Sequence, residues 1–393
     1  MIYLDHHATT PVDGRVIEAM LPYFGEKFGN AASRQHRFGW EANGAVERAR
    51  KQVAALIGAS GKEIVFTSGA TEANNLAIKG AARARRGERD HVVTVATEHK
   101  AVLDPVARLA GEGWQVTVVP VKRDGLVDLR ELDAAITERT ALVSVMAANN
   151  EIGVLQPITE AARLAHAKGA WFHTDAVQAA GRVPFHVAAL EVDFASLTAH
   201  KIYGPKGVGA LFVRWKSVAI AAEIDGGGHE RGMRSGTLNV PGIVGFGRAA
   251  EIAREELTSE SKRVGELRER LLARLKEQAT GFQVNGTTGE RLPGNLNVSF
   301  DGVDGEALLV ALDDVAVSSG AACTQAEPSH VLLALGLTKE RALASLRFGL
   351  GRSTTREDID YAATKVADVV ARLRQMSPVP GFAAEGRFGE VTP

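Results

Sequence analysis

The chain has 393 residues, with 46 basic against 47 acidic side chains for a formal net charge of −1, and 45% of its residues are apolar. This is the composition of an ordinary soluble globular protein, and the charge balance removes any general electrostatic attraction to nucleic acid or an anionic membrane. No uncharged run reaches the roughly 18 apolar residues of a membrane helix, and Met1–Asp5 has no basic stretch before an apolar one, so neither a span nor a signal peptide is expected.

The length predicts two or three domains. In chain order, Glu63–Thr67 reads as a strand and leads into a helical pattern from Thr71 to about Arg86. His91–Ala96 is the next strand, followed by a helix over Ala101–Gly111 with Val102, Val106 and Leu109 on one face. Gln115–Pro120 is strand-like, Leu129–Ile136 helical, and Leu142–Ala147 a continuous apolar strand. Thr159 is the expected N-cap of a helix over Glu160–Lys168, with Gly169 at C′. Ala170–Thr174, Phe194–Thr198 and Val208–Val213 complete the strand set. Short apolar strands alternating with amphipathic helices predict an α/β domain with a largely parallel sheet covered on both faces. Beyond residue 240 the texture changes. A long helix over Val240–Gln278, strands at Phe282–Asn285 and Asn295–Phe300, and helices at Glu306–Leu312, Ser329–Leu335 and Thr355–Arg374 predict a smaller α+β domain. Pro378–Pro393 is rich in Gly, Pro and charge and is expected to be loosely ordered.

Cys323 is the single cysteine, which excludes an intrachain disulfide, a Cys-x-x-Cys pair and a multi-cysteine metal site. A lone thiol suits a reducing compartment, and the cytoplasm is the expected location. Such a cysteine is ordinarily a small buried hydrophobe.

In an open parallel sheet, ligands bind beyond the carboxyl ends of the strands. Ser68-Gly69-Ala70-Thr71-Glu72 joins a strand to a helix and would offer unpaired N–H groups to an anion, although it is neither a Walker A loop nor a dinucleotide fingerprint. Other strand ends carry Glu98-His99-Lys100, Asn149-Asn150-Glu151, His173-Thr174-Asp175 with Gln178, and Thr198-Ala199-His200-Lys201. A lysine that can bond an aldehyde, an acid for a protonated pyridine, an imidazole for its ring and an anion site are what pyridoxal phosphate requires. A metal site built from His99, His173, Asp175 and His200 is the weaker reading, because helical His-Glu-x-x-His spacing is missing, and a serine-hydrolase reading fails for want of a Gly-x-Ser-x-Gly elbow. His6-His7 shows no ligand pattern and reads as local structure.

Several stretches together carry a family resemblance. They are Leu4–Pro11 (LDHHATTP), Phe28-Gly29-Asn30, Phe66–Glu72 (FTSGATE), Thr97–Lys100 (TEHK), Ala199–Gly207 (AHKIYGPKG), Gly226–Thr237 (GGGHERGMRSGT), Ser318–Thr324 (SSGAACT) and Leu346-Arg347-Phe348. In them the chain resembles the group I cysteine desulfurases of the IscS/NifS type, to about Pro378. The resemblance implies a fold-type I pyridoxal 5'-phosphate enzyme with an aspartate-aminotransferase-like large domain. It divides the chain into a large cofactor-binding domain over 14–255, a small domain from 1–13 and 256–378 that carries the Cys323 loop, and the tail over 379–393. It implies a homodimer acting on L-cysteine, a persulfide on Cys323, L-alanine as product, and sulfur passed to an acceptor protein, such as an iron–sulfur scaffold, for cluster assembly or thiolation.

By that resemblance Lys201 would bond the cofactor aldehyde and move the Cα proton, His99 would stack on the ring, Asp175 would pair with its nitrogen, and Gln178 would contact its phenolic oxygen. Ala70, Thr71, Thr198 and His200 would hold the phosphate, joined by Thr237 of a second subunit. Arg347 with Asn150 would bind the substrate carboxylate, and Asn150 would also contact the cofactor. Cys323 would be a metal ligand only for a cluster shared with a partner. The chain departs from the family in a slightly shorter loop between Cys323 and Glu327, in a final stretch, Gly381–Pro393, unlike the scaffold-docking tail, and at His6-His7 and Ala31. The alternatives are another pyridoxal phosphate enzyme, such as a selenocysteine lyase or class V aminotransferase, and a non-catalytic scaffold on the same fold.

Overall fold

The computed structural model describes residues 1–319 and 327–376; the expectations placed on Cys323 and on the tail from residue 377 lie outside them. In chain order the strands are β1 (Ile2–Tyr3), β2 (Ile64–Thr67), β3 (His91–Val95), β4 (Gln115–Val119), β5 (Thr140–Ser144), β6 (Trp171–Asp175), β7 (Phe194–Thr198), β8 (Gly209–Val213), β9 (Phe282–Val284), β10 (Asn295–Phe300), β11 (Val315–Ala316) and β12 (Ser345–Gly349). The α-helices are α1 (Gly14–Met20), α2 (Arg37–Leu56), α3 (Ala70–Ala84), α4 (Lys100–Gly111), α5 (Leu129–Ala135), α6 (Ile158–Ala167), α7 (Val240–Gln278), α8 (Gly305–Ala311), α9 (His330–Ala334), α10 (Lys339–Leu343) and α11 (Arg356–Met376).

Seven strands form one sheet in the order β2-β8-β7-β6-β5-β3-β4, in which β8 alone runs antiparallel to its neighbours. Apart from β4, the strands are buried because both faces of the sheet are covered, and most of their residues are apolar. Val65, Val92, Leu142, Phe194 and Leu211 pack into one core with α3 and α4. Their immediate neighbours Phe66, Val93, Val143, Ala195 and Phe212 point the other way, into a core with α2, α6 and the first half of α7. The period of two in a strand thus divides each apolar run between two helical layers. Only the edge strand β4 is substantially exposed.

A second core lies against the three-stranded antiparallel sheet β12-β10-β9 and is built by α8, α11 and the far half of α7. The 39-residue α7 serves both cores: residues up to Ala253 pack on the large sheet, and Val264, Leu267, Leu271 and Leu275 pack on the small one. Those four recur at the spacing of one helical face.

Two local expectations differ in outcome. Gly169 follows the end of α6 with φ +69°, the left-handed conformation a C′ glycine supplies. The start of α6 lies earlier than the Thr159 cap, with Pro157 in the cap position (φ −76°) and Ile158 buried. The fixed φ of proline opens the turn there, and burial of Ile158 draws it into the helix. Within residues 14–56, for which the sequence pattern assigns no element, α1 and α2 form, and α2 packs along α7.

Chain direction across the sheet reverses between β3 and β5: β4 lies outward of β3, whereas β5 to β8 proceed the other way. A crevice forms at such a reversal, beyond the carboxyl ends of the strands.

Candidate active site

That crevice is an open cleft of about 550 Å³. Ala70, Thr71, His99, Asn150, Asp175, Gln178, Thr198, His200, Lys201 and Arg347 all line it, so ten predicted side chains from six different loops and strands converge.

Lys201 closes the short 3₁₀ turn after β7. Its Nζ donates to the backbone carbonyls of His7 and, at 2.6 Å, Ala8. Burial, with Arg182 and Arg347 nearby, pushes its amine down from 10.5 to about 7. A lysine in that state is a competent nucleophile and base near neutral pH. The segment that receives it is pinned to the same turn: Thr10 N donates to His200 O at 3.0 Å, and Tyr203 N to Thr10 Oγ1 at 2.8 Å.

Asp175 ends β6, and its Oδ2 accepts from Asn74 Nδ2 of α3 at 2.8 Å. Its Oδ1 accepts from Val177 N at 3.0 Å, which fixes the carboxylate from both sides. His99 is the N-cap of α4 and accepts from Ala101 N at Nδ1 (3.0 Å), so its proton resides on Nε2; burial lowers its basicity. Gln178 is clamped by His7 and Arg182: its Nε2 donates to His7 O at 3.0 Å, and its Oε1 accepts from Arg182 Nη1 at 2.6 Å. His7 also lines the cleft, so the local-structure reading of His6-His7 is corrected for His7. No local pattern marks it, because its partners lie 171 residues or more away.

At the other end of the cleft stands the start of α3. Its N-cap is Gly69, which has no side chain to satisfy the first amides, and Gly69, Ala70, Thr71, Thr198 and His200 line the cleft there. Gly209 permits this placement, since a Cβ there would lie 2.6 Å from Leu197 O and 2.7 Å from Gly69 Cα. Glu72 does not oppose an anion here: Arg234 Nε donates to it at 2.7 Å and Ser68 N at 2.7 Å. His200 is held near 4 by burial and by Lys201, and bonds Thr9 Oγ1 through Nδ1 at 3.1 Å. It is neutral near pH 7 and would act as a hydrogen-bond donor there.

Arg347 on β12 reaches the cleft from the small sheet. Its backbone forms an antiparallel bridge with Ser318, five positions before Cys323. On the other side of the segment 320–326, Ser329 donates to Glu151 Oε2 and caps α9. Burial raises the Glu151 carboxyl to about 7.

Several polar strand-end residues do not enter the cleft. His173 lies in the sheet layer between Ser144 Oγ (2.8 Å) and Ser196 Oγ (3.0 Å). Asn149 accepts from Glu151 N and Ile152 N and so shapes the turn. Glu98 is fully buried, receives Met146 N at 2.6 Å, and is raised well above the carboxylate range by burial. Thr237 is exposed and lies outside the cleft of its own chain. Among the described residues no cluster of three or more His, Cys, Asp or Glu would hold a metal ion.

A large, mainly parallel sheet with a lysine, an acid and an uncapped helix start at its carboxyl edge defines a class, and the chain belongs to the class-V aminotransferase family, whose model matches residues 2–362. Within that family its relatives include the protein named cysteine desulfurase IscS from Anaeromyxobacter sp. (strain Fw109-5), 58% identical over 98% of this chain and 96% of that one. The protein of the same name from Rickettsia conorii is 52% identical over 98% of this chain and 95% of its own length. A solved structure of a NifS-like protein superposes with a TM-score of 0.89 at 42% identity, covering 95% of this chain and all of that one. The architecture is accordingly fold type I.

Proposed function

We propose that this chain is a cysteine desulfurase that uses pyridoxal 5'-phosphate to move sulfur from L-cysteine to Cys323. The observation that carries the reading is the Lys201 amine, held near neutrality in a cleft that also presents Asp175, His99 and Arg347. The donor set fits the cofactor. The uncapped start of α3 with Thr71, Thr198 and His200 suits a phosphate, Asp175 suits a protonated pyridine nitrogen, and the buried Oδ1 of Asn74 has no partner among the described residues. Gln178 would face the phenolic oxygen and His99 the ring. When bound, the cofactor supplies an electron sink for the carbanion formed at the substrate Cα.

The chain's own groups do the rest. Arg347 binds the α-carboxylate through its planar fork, with Asn150 beside it. Lys201, neutral at working pH, takes the Cα proton and returns a proton to the product. The Cys323 thiolate attacks the substrate sulfur: an S–S bond forms as the substrate C–S bond breaks, and the electron pair left on Cβ takes a proton. The protein thiol and L-cysteine thus become a persulfide and L-alanine, with no other oxidant or reductant required.

With one cysteine in the chain, the sulfur has no second thiol in the same chain to move to and leaves to an acceptor protein, such as an iron–sulfur scaffold. The active form is a homodimer in a reducing compartment, the cytoplasm. Leu21, Phe24, Phe28, Phe38 and Trp40 are all at least 50% exposed around α1 and the start of α2, an apolar surface suited to a second copy. Thr237 would then join the phosphate site of the partner. Among the described residues no helix is long and apolar enough to cross a membrane.

Anaerobic incubation with L-cysteine, followed by mass spectrometry, tests the proposal. A persulfide on Cys323 and stoichiometric alanine are expected, and Cys323→Ala should lose both the persulfide and sulfide release. Full sulfide release by that variant would sink the reading.

A further inference from the structure

Arg347 is the cation whose own anchoring decides how it meets a substrate. Its side chain is 2% exposed, and its five N–H groups sit in a fixed planar fork. Nη2 donates to Asp5 Oδ1 at 2.7 Å, and Nη1 to the backbone carbonyl of Asn150 at 3.2 Å. Nε is buried without a partner among the described residues. Arg347 lines the cleft and Asp5 does not, so the acid holds the guanidinium without itself forming part of the cleft lining.

Asp5 is itself held by backbone. His6 N donates to Gly349 O at 3.0 Å, Gly349 N to Leu4 O at 2.7 Å, and the Tyr3 hydroxyl to Asp5 O at 3.1 Å. Gly349 makes the approach possible, because a Cβ there would lie 2.8 Å from His7 N and 2.9 Å from His6 N. The same short segment therefore fixes two basic side chains: Asp5 holds Arg347, and the carbonyls of His7 and Ala8 hold Lys201.

We propose that Asp5 is a positioning residue for the substrate carboxylate: its Oδ1, as a hydrogen-bond acceptor at fixed reach, aims the Arg347 fork into the cleft. Without it a buried cation would be left unpaired and would turn toward another acceptor. The incoming carboxylate meets a pair that is already close to neutral, so its affinity comes from oriented N–H groups rather than from net charge. The inference rests on the desulfurase reading above.

Steady-state sulfide release by the holoenzyme tests it, with L-cysteine as substrate and cysteamine, which lacks the carboxylate, as competitive inhibitor. Asp5→Ala should raise KM for L-cysteine about tenfold or more, the scale of one misplaced charge-assisted hydrogen bond, with kcat changed less than about threefold. The inhibition constant of cysteamine should stay put. Asp5→Asn, which keeps an oxygen acceptor at the same reach, should recover most of the loss, and Asp5→Glu, with the same charge on a longer arm, should not. An unmoved KM in Asp5→Ala, or a parallel rise for L-cysteine and cysteamine, would overturn the inference. If Asp5→Ala does not fold, the Asn and Glu variants decide it by their order, and Glu tighter than Asn overturns it. Wild-type enzyme that releases no sulfide overturns the desulfurase reading and this inference together; wild-type turnover with an unmoved KM overturns the inference alone.

Discussion

The protonation of Lys201 is the property on which the chemistry turns, and it is measurable without substrate. Burial is the largest cause of its lowered basicity, followed by the positive charges of Arg182 and Arg347. At pH 8 an amine of pKa 10.5 is only about 0.3% neutral, and one near 7 is about 90% neutral, so the folded site raises the reactive fraction about 300-fold. Trace acetylation of the cofactor-free protein at a series of pH values, with peptide mass spectrometry, should give Lys201 a midpoint near 7, well below the bulk of the lysines. Arg182→Met should move that midpoint upward, since one of the two repelling charges is gone. The burial also has a stability cost. The unfolded chain keeps this proton up to about 10.5 while the folded chain releases it near 7, so between those values the unfolded state binds more protons and stability rises with pH. At about 1.4 kcal/mol per pH unit the upper bound is about 5 kcal/mol, and Lys201→Met should remove that slope. Lys201 titrating together with the bulk lysines in the folded protein would refute the reasoning.

Glu230 is buried against Arg50 through two bonds of 2.6 and 2.7 Å and accepts from Phe66 N at 2.7 Å, so Glu230→Ala should cost about 3–5 kcal/mol in urea denaturation; a loss below about 1 kcal/mol would count against a paired buried charge. Asn74→Ala frees one side of Asp175 and should weaken cofactor binding about tenfold in an absorbance titration, and unchanged affinity would remove Asn74 from the site. His166 is raised above 6.5 by its hydrogen bond to Asp193, so its contribution to stability is complete below 6.5 and fades as pH rises through the raised value. His166→Asn should accordingly flatten the melting temperature across the neutral range, which a wild-type-like profile would contradict.

The sequence by itself determined the class of the fold, the family, and the loops in which the candidate site residues lie. Strand and helix periods are local, so the alternating βαβ pattern is readable residue by residue, and the rule that ligands sit at the carboxyl ends of parallel strands points to the loops holding Thr71, His99, Asp175 and Lys201. Gly169 is legible for the same reason, since a C′ glycine answers to its own backbone.

Which polar strand-end residue enters the cleft is a different matter. His173 and Asp175 lie two positions apart on one face of β6, yet only Asp175 reaches past the strand end to Asn74, while His173 stays between two serines of the neighbouring strands. The support of the site also came only from tertiary structure: Asn74 meets Asp175 across 101 residues, His7 meets Gln178 across 171, and Asp5 meets Arg347 across 342. Hydrogen bonds between turns that distant leave no periodic trace in the chain. They exist because the fold brings the N-terminal segment across β12, and Gly349 leaves room for it to lie there.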